Sequence, residues 1–235
     1  MLFGPHALLG RGGPAPATLT GAADFDGVND FLSRTTDLAG AADGKTMTVS
    51  VWVYRGDTND CAIQLNRNSG GSSLNRISQA SNAFAVDFGN GSGGNVLIAS
   101  VTSPTMPLNA WQHVLMSVDM SSTSLRSIYI NDTAATVSWG AYSNANLVRV
   151  SDNIGIGARS DGALKFKGKL AHLYTDYTYR DLSITANRRL FYAGALQPAD
   201  NQAALSPILY LPMTTAGAMG VNLGTGGNFT VNGTL

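Results

Sequence analysis

Short apolar or alternating runs recur along the chain at strand length, separated by clusters of Gly, Asn, Asp and Ser. The main ones are Asp24–Phe31, Met47–Val53, Trp111–Asp119, Ser127–Asp132, Ile154–Gly157 and Phe166–Tyr174. Runs of this length between turn residues read as β-strands. Cys61–Leu65, Ala83–Phe88 and Val96–Val101 read as shorter ones. In the second run Met47, Val49, Val51 and Val53 share one face, and Thr48, Ser50, Trp52 and Tyr54 the other, because side chains alternate along a strand. Both faces carry bulk, which predicts a central strand lying under another sheet or a partner. Gly89–Gly94 and Ser121–Ser124 predict hairpin connections. A single helix is expected, with Ser183 as N-cap, Ile184–Ala193 as its body and Gly194 as its stop. Ile208–Leu211 reads as one more strand, closed by Pro212. The pattern predicts an all-β, two-sheet antiparallel sandwich with one short helix near the C-terminal end.

Residues 1–22 are rich in Gly, Pro and Ala, which breaks both helix and long strand. Leu2, Phe3, Leu8 and Leu9 make this leader a candidate arm that docks on a partner, against the plainer reading of a floppy terminus. Residues 23–212 form the sandwich. Residues 213–235 alternate Gly, Asn and Thr with Val221, Leu223, Phe229 and Val231, which suits a last edge strand or a second arm.

Composition sharpens this picture. All fifteen acidic residues are Asp, and lysine is confined to Lys45, Lys165, Lys167 and Lys169. Glu and Lys are the usual solvent-facing residues of helices, so their scarcity favours strands and turns. The fifteen acidic residues balance fifteen basic ones, so no long-range field steers the chain to nucleic acid or an anionic membrane. No run approaches the ~18 apolar residues of a membrane span. Met1–His6 lacks the basic start and apolar core of a signal peptide, so synthesis in a host cytoplasm is the expectation. Cys61 is the lone cysteine and is expected to be an inert, partly buried thiol.

Several runs together resemble a known family. Phe25–Phe31 resembles the opening strand of laminin-G-like domains of the concanavalin A-like jelly roll. Trp111–Val114 is similar to that family's central strand, Ile154–Arg159 to its next-to-last hairpin, and Phe166–Tyr174 with Arg180–Ser183 to its closing strand and short helix. The resemblance spans roughly residues 23–194 in the expected order. It implies two curved antiparallel sheets of about six strands each. It also implies a choice among carbohydrate-binding modules, adhesion domains, glucanases and structural parts of bacteriophage particles.

Glucanases of this fold imply two glutamates on one strand, and two carboxyls about 5 Å apart are what retaining chemistry needs. The chain has no glutamate; Asp24 and Asp26 come nearest to a pair, in the opening segment. His6, His113 and His172 are scattered, without a zinc spacing, and His113 is expected to be a hydrogen-bonded structural histidine. No nucleophile elbow or Walker loop is present, and Gly155-Ile156-Gly157 reads as a strand whose glycines permit close packing. The resemblance implies one structural calcium ion, for which Asp26, Asn29, Asp30 and Asp176 are candidates, against the plainer reading of Asx-turn residues. Sugar stacking would use exposed aromatics: Trp52, Trp139, Tyr142, Tyr177 and Tyr179, with Trp139–Tyr142 in a loop-like stretch, against a reading as sheet packing or subunit interface. The leading expectation is a non-enzymatic structural module of a bacteriophage particle, a decoration, fibre or tail-associated protein, bound to other virion proteins or to its own subunits. The alternative is an adhesin that recognises host-surface polysaccharide; an atypical glycosidase is the third.

Overall fold

The computed structural model describes residue 19 and residues 21–235, apart from 69, 71, 72 and 81. The proposed docking residues Leu2, Phe3, Leu8 and Leu9 lie outside the described residues. The strands begin with β1 (Ala23–Asp26), β2 (Phe31–Arg34), β3 (Thr46–Arg55), β4 (Cys61–Arg67), β5 (Ser73–Ala80) and β6 (Ala83–Gly89). They continue with β7 (Asn95–Ser103), β8 (Trp111–Asp119), β9 (Arg126–Ile130), β10 (Thr133–Ala134), β11 (Thr136–Tyr142) and β12 (Asn153–Ile156). The last are β13 (Lys167–Asp176), β14 (Tyr192–Gly194), β15 (Gln197–Pro198), β16 (Leu209–Leu211) and β17 (Thr230–Asn232). Among the described residues one sheet has seven strands, in the order β1-β13-β3-β8-β9-β10 with β16 also beside β13. A second has eight, in the order β11-β7-β6-β5-β4-β12-β2-β17, and β14 and β15 pair as a separate two-stranded ribbon. Pairing within both sheets is antiparallel.

The inner faces of the two sheets make one continuous apolar core. Val49, Val51, Val53, Val114, Met116 and Leu170 of the first sheet meet Ile63, Ile77, Phe84, Val86 and Ile156 of the second, all essentially sealed from solvent. Each such side chain contributes roughly 1.5–3 kcal/mol through its burial. The strand with Gly155 and Gly157 packs as closely as its glycines allow. A Cβ on Gly157, whose φ is +73°, would stand 2.2 Å from the Phe25 ring, itself edge-on to Phe166 at 5.9 Å.

The first sheet is covered on its outer face as well. Leu182, Phe191 and Tyr192, from the segment between β13 and β15, lie over Leu115, Tyr174, Trp52 and Ala171. Trp52 is fully buried and stacks on Tyr192 at 5.8 Å. The bulk on both faces of β3 therefore has an intramolecular cover, and Trp52 is removed from the candidate sugar-stacking residues. The polar neighbours in this layer are paired: Ser50 Oγ and His113 Nε2 lie 2.8 Å apart, and Thr48 Oγ1 and Ser117 Oγ 3.0 Å apart.

The helix is shorter than its sequence signals suggest. It covers Thr185–Arg188, with Ile184 at the N-cap and no side-chain cap. The Ser183 hydroxyl donates to Asp181 Oδ1 at 2.7 Å, so the Asp181 carboxylate takes the group expected to cap the helix.

Gly157→Ala is expected to destabilise the fold by about 3 kcal/mol, since it adds both strain at positive φ and a clash with Phe25; urea unfolding measures it, and a loss under half that size would contradict the close packing. Burial holds the His113 ring neutral, pushed down to about 3 from its ordinary 6.5, with Asp132 opposing and His172 reinforcing the shift. The unfolded chain therefore takes up a proton that the fold refuses. The resulting stability is present above pH ~6.5 and is lost as pH falls toward 3, by about 1.4 kcal/mol per unit. His113→Gln should flatten that slope in urea midpoints measured from pH 7 to 4; a slope equal to the parent's would show that another group carries it.

Candidate functional site

The C-terminal end of β13 builds the site. Asp176 pairs with Thr48 in the register of β13 with β3, and the chain then turns through Tyr177 and Thr178. Thr46 Oγ1 donates to the Tyr177 carbonyl at 2.6 Å, and Thr48 Oγ1 to the Thr178 carbonyl at 2.7 Å. Asp176 Oδ1 accepts the Thr178 N–H at 3.1 Å, while Oδ2 accepts the Tyr174 hydroxyl at 2.6 Å. Arg180 closes a nearly buried ion pair on the same Oδ2 at 2.6 Å. Charge-assisted bonds of this kind are about twice as strong as neutral ones, so the turn is held rigidly.

Arg149 braces a second wall, at Tyr177. Its guanidinium lies 3.9 Å over the Tyr177 ring, donates to the Ala42 carbonyl at 3.2 Å and also to the Thr46 carbonyl. The Arg149 N–H donates to Asp43 Oδ1 at 2.8 Å. Burial pushes the Tyr177 phenol up to about 12; Arg149 opposes this, and Asp37 and Asp43 add to it. A third wall is tied in by backbone: the Ala39 N–H donates to the Gly226 carbonyl at 3.0 Å, and the Gly226 N–H to the Ile208 carbonyl at 2.9 Å. These walls enclose an open cavity of about 290 Å³ lined by Gly40, Asp176, Tyr177, Thr178, Leu205, Ser206, Ile208 and Thr225. Its lining includes three hydroxyl residues and two apolar ones, and it is bordered by Tyr177, whose ring packs partly buried against the core beneath Arg149. Its single carboxylate is already neutralised by Arg180.

The other sequence candidates fall elsewhere. Trp139 and Tyr142 stand on β11, an edge strand with a register shift between them, rather than in a loop. Both rings pack partly buried against the core, with the Arg126 guanidinium 4.4 Å and 5.0 Å from their centroids. The Tyr142 hydroxyl donates to the Met120 carbonyl at 2.9 Å. They close the edge of the sandwich. Tyr179 is partly buried beyond the turn, with its phenol raised by burial and then by Asp181 and Asp119.

The four calcium candidates are not brought to one place: Asp26, Asn29 and Asp30 share a loop, and Asp176 lies apart from it. Asp26 pairs with Lys167 at the start of β13, and Asp176 ends the same strand, roughly 30 Å away at about 3.3 Å per residue. Asp26 Oδ1 already accepts the N–H groups of Val28, Asn29 and Asp30, which hold its carboxyl below the usual range, the Val28 bond most of all. The Asp30 carboxylate accepts N–H groups from Asp26 and Thr234. Among the described residues no cluster of three or more His, Cys or Asp side chains could hold a metal. The set does not fit one ion, and the Asp26–Asp30 loop is an Asx-turn that ties the opening strand to the C-terminus.

A family model described as the concanavalin A-like lectin/glucanases superfamily matches residues 26–175. The chain belongs to that superfamily. No curated protein matches the sequence. Among solved structures, a "putative carbohydrate binding protein" of Bacteroides ovatus is similar with TM-score 0.63 at 17% identity, over 94% of this chain and 60% of that one. A heptameric SAP-like pentraxin of Limulus polyphemus gives 0.55 at 13% identity, over 75% of this chain and 84% of that one. Domains LG4-5 of the mouse laminin α1 chain give 0.50 at 14% identity, over 72% of this chain and 45% of that one. The chain thus spans less than two thirds of the Bacteroides and laminin chains, and at these identities the likeness is one of fold. The superfamily model and these structures agree with the all-β jelly roll expected from the strand order.

Removing divalent cations with a chelator is expected to leave the melting temperature unchanged, because Asp26 Oδ1 and both Asp30 oxygens are engaged by backbone N–H groups. A drop on chelation, reversed by added calcium, would place an ion in that loop.

Proposed function

We propose that the protein is a non-catalytic carbohydrate-binding module and that the cavity at the end of β13 receives the sugar. The observation that carries this reading is the rigid Asp176–Thr178 turn, which places Tyr177 and the exposed Thr178 side chain at the wall of a cavity completed by Ser206 and Thr225. Sugars are bound by such convergent hydroxyl and aromatic groups in small preformed clefts. The superfamily and the Bacteroides protein's assignment support the same class. The particle-structure expectation has no support among the matched proteins, and carbohydrate binding replaces it as the leading reading.

The lining supports binding rather than hydrolysis as the reading. Glycoside cleavage uses two carboxyls flanking the bond, and the cavity offers only Asp176, whose oxygens are held by Thr178, Tyr174 and Arg180. Asp176 thus acts as a positioning residue for the turn, and Tyr177, Thr178, Ser206 and Thr225 as the ligand contacts.

A glycan array followed by calorimetry tests this. Thr178→Ala and Thr225→Ala, both exposed side chains, should each weaken binding of the captured glycan about fivefold, the size of one hydrogen bond, with the melting temperature unchanged. Silence of the array toward every glycan, or undiminished affinity in both variants, would remove the reading.

A further inference from the structure

A second cavity lies on the other side of the covering segment. It measures about 300 Å³ and is lined by Leu19, His172, Gln197, Pro198, Asp200 and Thr214. His172 occupies the left-handed region, with φ of +50°, inside the bulge of β13 between Ala171 and Tyr174. Bulges re-aim a side chain, and a non-glycine residue held at positive φ marks a place where the surroundings impose the geometry. Here the surroundings are specific. The His172 N–H donates to the Pro212 carbonyl at 3.0 Å, and its Nδ1 lies 2.9 Å from the Tyr210 hydroxyl. Both ends of the residue are pinned, and Nε2 is the ring nitrogen left for a ligand. Burial keeps the ring neutral, pushed down to about 4 against the pull of Asp200.

The cavity adjoins an apolar slot of about 220 Å³, and Thr214 lines both. Met213, Ala218, Val221 and Leu223 line the slot, with Val221 and Leu223 exposed at 38% and 52%. Polar groups thus give way to apolar ones across a single residue. Asp200 carries the only formal charge on the polar side, so phosphate or carboxylate heads are repelled.

We propose that these two compartments form a second site, separate from the cavity at Tyr177, which binds a neutral alkyl glycoside. The sugar head hydrogen-bonds to His172, Gln197 and Asp200, and the first carbons of the chain lie along Met213, Val221 and Leu223.

Titration of the full chain with methyl, butyl and octyl β-glucosides and β-galactosides, below their micelle concentrations and followed by NMR shifts, tests this. Butyl is expected to bind about tenfold more tightly than methyl in at least one series, since three further carbons leave water. The exposed-site variant Gln197→Ala/Asp200→Ala should weaken every member of that series. Val221→Thr/Leu223→Thr should abolish the gain with chain length and spare the methyl glycoside. Thr178→Ala should change nothing, which separates this site from the first whether or not that one binds sugar. Failure of both series to bind at millimolar concentration, affinity independent of chain length, or binding indifferent to both double variants would each overturn the proposal.

Discussion

The structure depends on one constraint: the central strands β13, β3 and β8 of the seven-stranded sheet are covered on both faces while their outer face carries polar side chains. A buried polar group left without a partner costs about 1–3 kcal/mol, so the cover must bring or permit partners for Thr48, Ser50, His113, Ser117, Tyr174 and Asp176. Ser117 Oγ accordingly accepts the Arg180 N–H at 2.8 Å, and Arg180 pairs with Asp176. Those bonds determine where the chain leaves β13 and how Leu182, Phe191 and Tyr192 come down on the sheet. The two cavities are the margins of that cover. One opens where it departs at Thr178 and returns at Ser206, the other beside Gln197 and Asp200.

Arginine does the work that a charged surface does elsewhere. Arg55 is fully buried and gathers three loops at one end of the sandwich, through the Met106 carbonyl, the Asp57 carbonyl at 3.1 Å and Asn82 Oδ1 at 3.0 Å. Arg149 gathers the Ala42–Thr46 and Tyr177 loops in the same way. A planar guanidinium can donate to several carbonyls at once and stack on a ring, which an ammonium cannot do. That explains how a chain with few charges keeps loops rich in Gly, Ser and Asn in fixed positions around a site.

Much of the fold was legible because alternation and burial coincide. Met47–Val53 and Trp111–Asp119 present clean apolar faces, and each is a central strand. β5 was not legible: its inward positions include Asn75 and Gln79, at 3% and 1% exposure, and buried amides look like surface residues in a sequence. The helix signals overstate its length because Asp181 sits two residues before Ser183 and accepts both its hydroxyl and its N–H. Trp139–Tyr142 looked like a loop because Gly140 and Ala141 interrupt the pattern, yet the interruption is a register shift that keeps both rings against the core. Of the first cavity, Asp176 and Tyr177 could be named from sequence. Gly40, Ser206 and Thr225 could not, since only the folded backbone brings such common turn residues to one place.

The state of Asp176 decides what kind of site the first cavity can be. A carboxylate that acts as nucleophile or base needs a free oxygen facing the reacting atom. Asp176 directs one oxygen to its own turn and the other to a phenol and a guanidinium. Releasing it for chemistry would unpair Arg180, which is itself buried against Tyr174 and Phe191, and an uncompensated buried charge is strongly destabilising, by about 3–5 kcal/mol. The same bonds that occupy both oxygens make the turn rigid, so on the proposed reading Tyr177 and Thr178 are ordered before a ligand arrives and little ordering entropy is lost on binding. The one carboxylate of this cavity is committed to architecture, and the Thr178 hydroxyl beside it is held in place by the same turn.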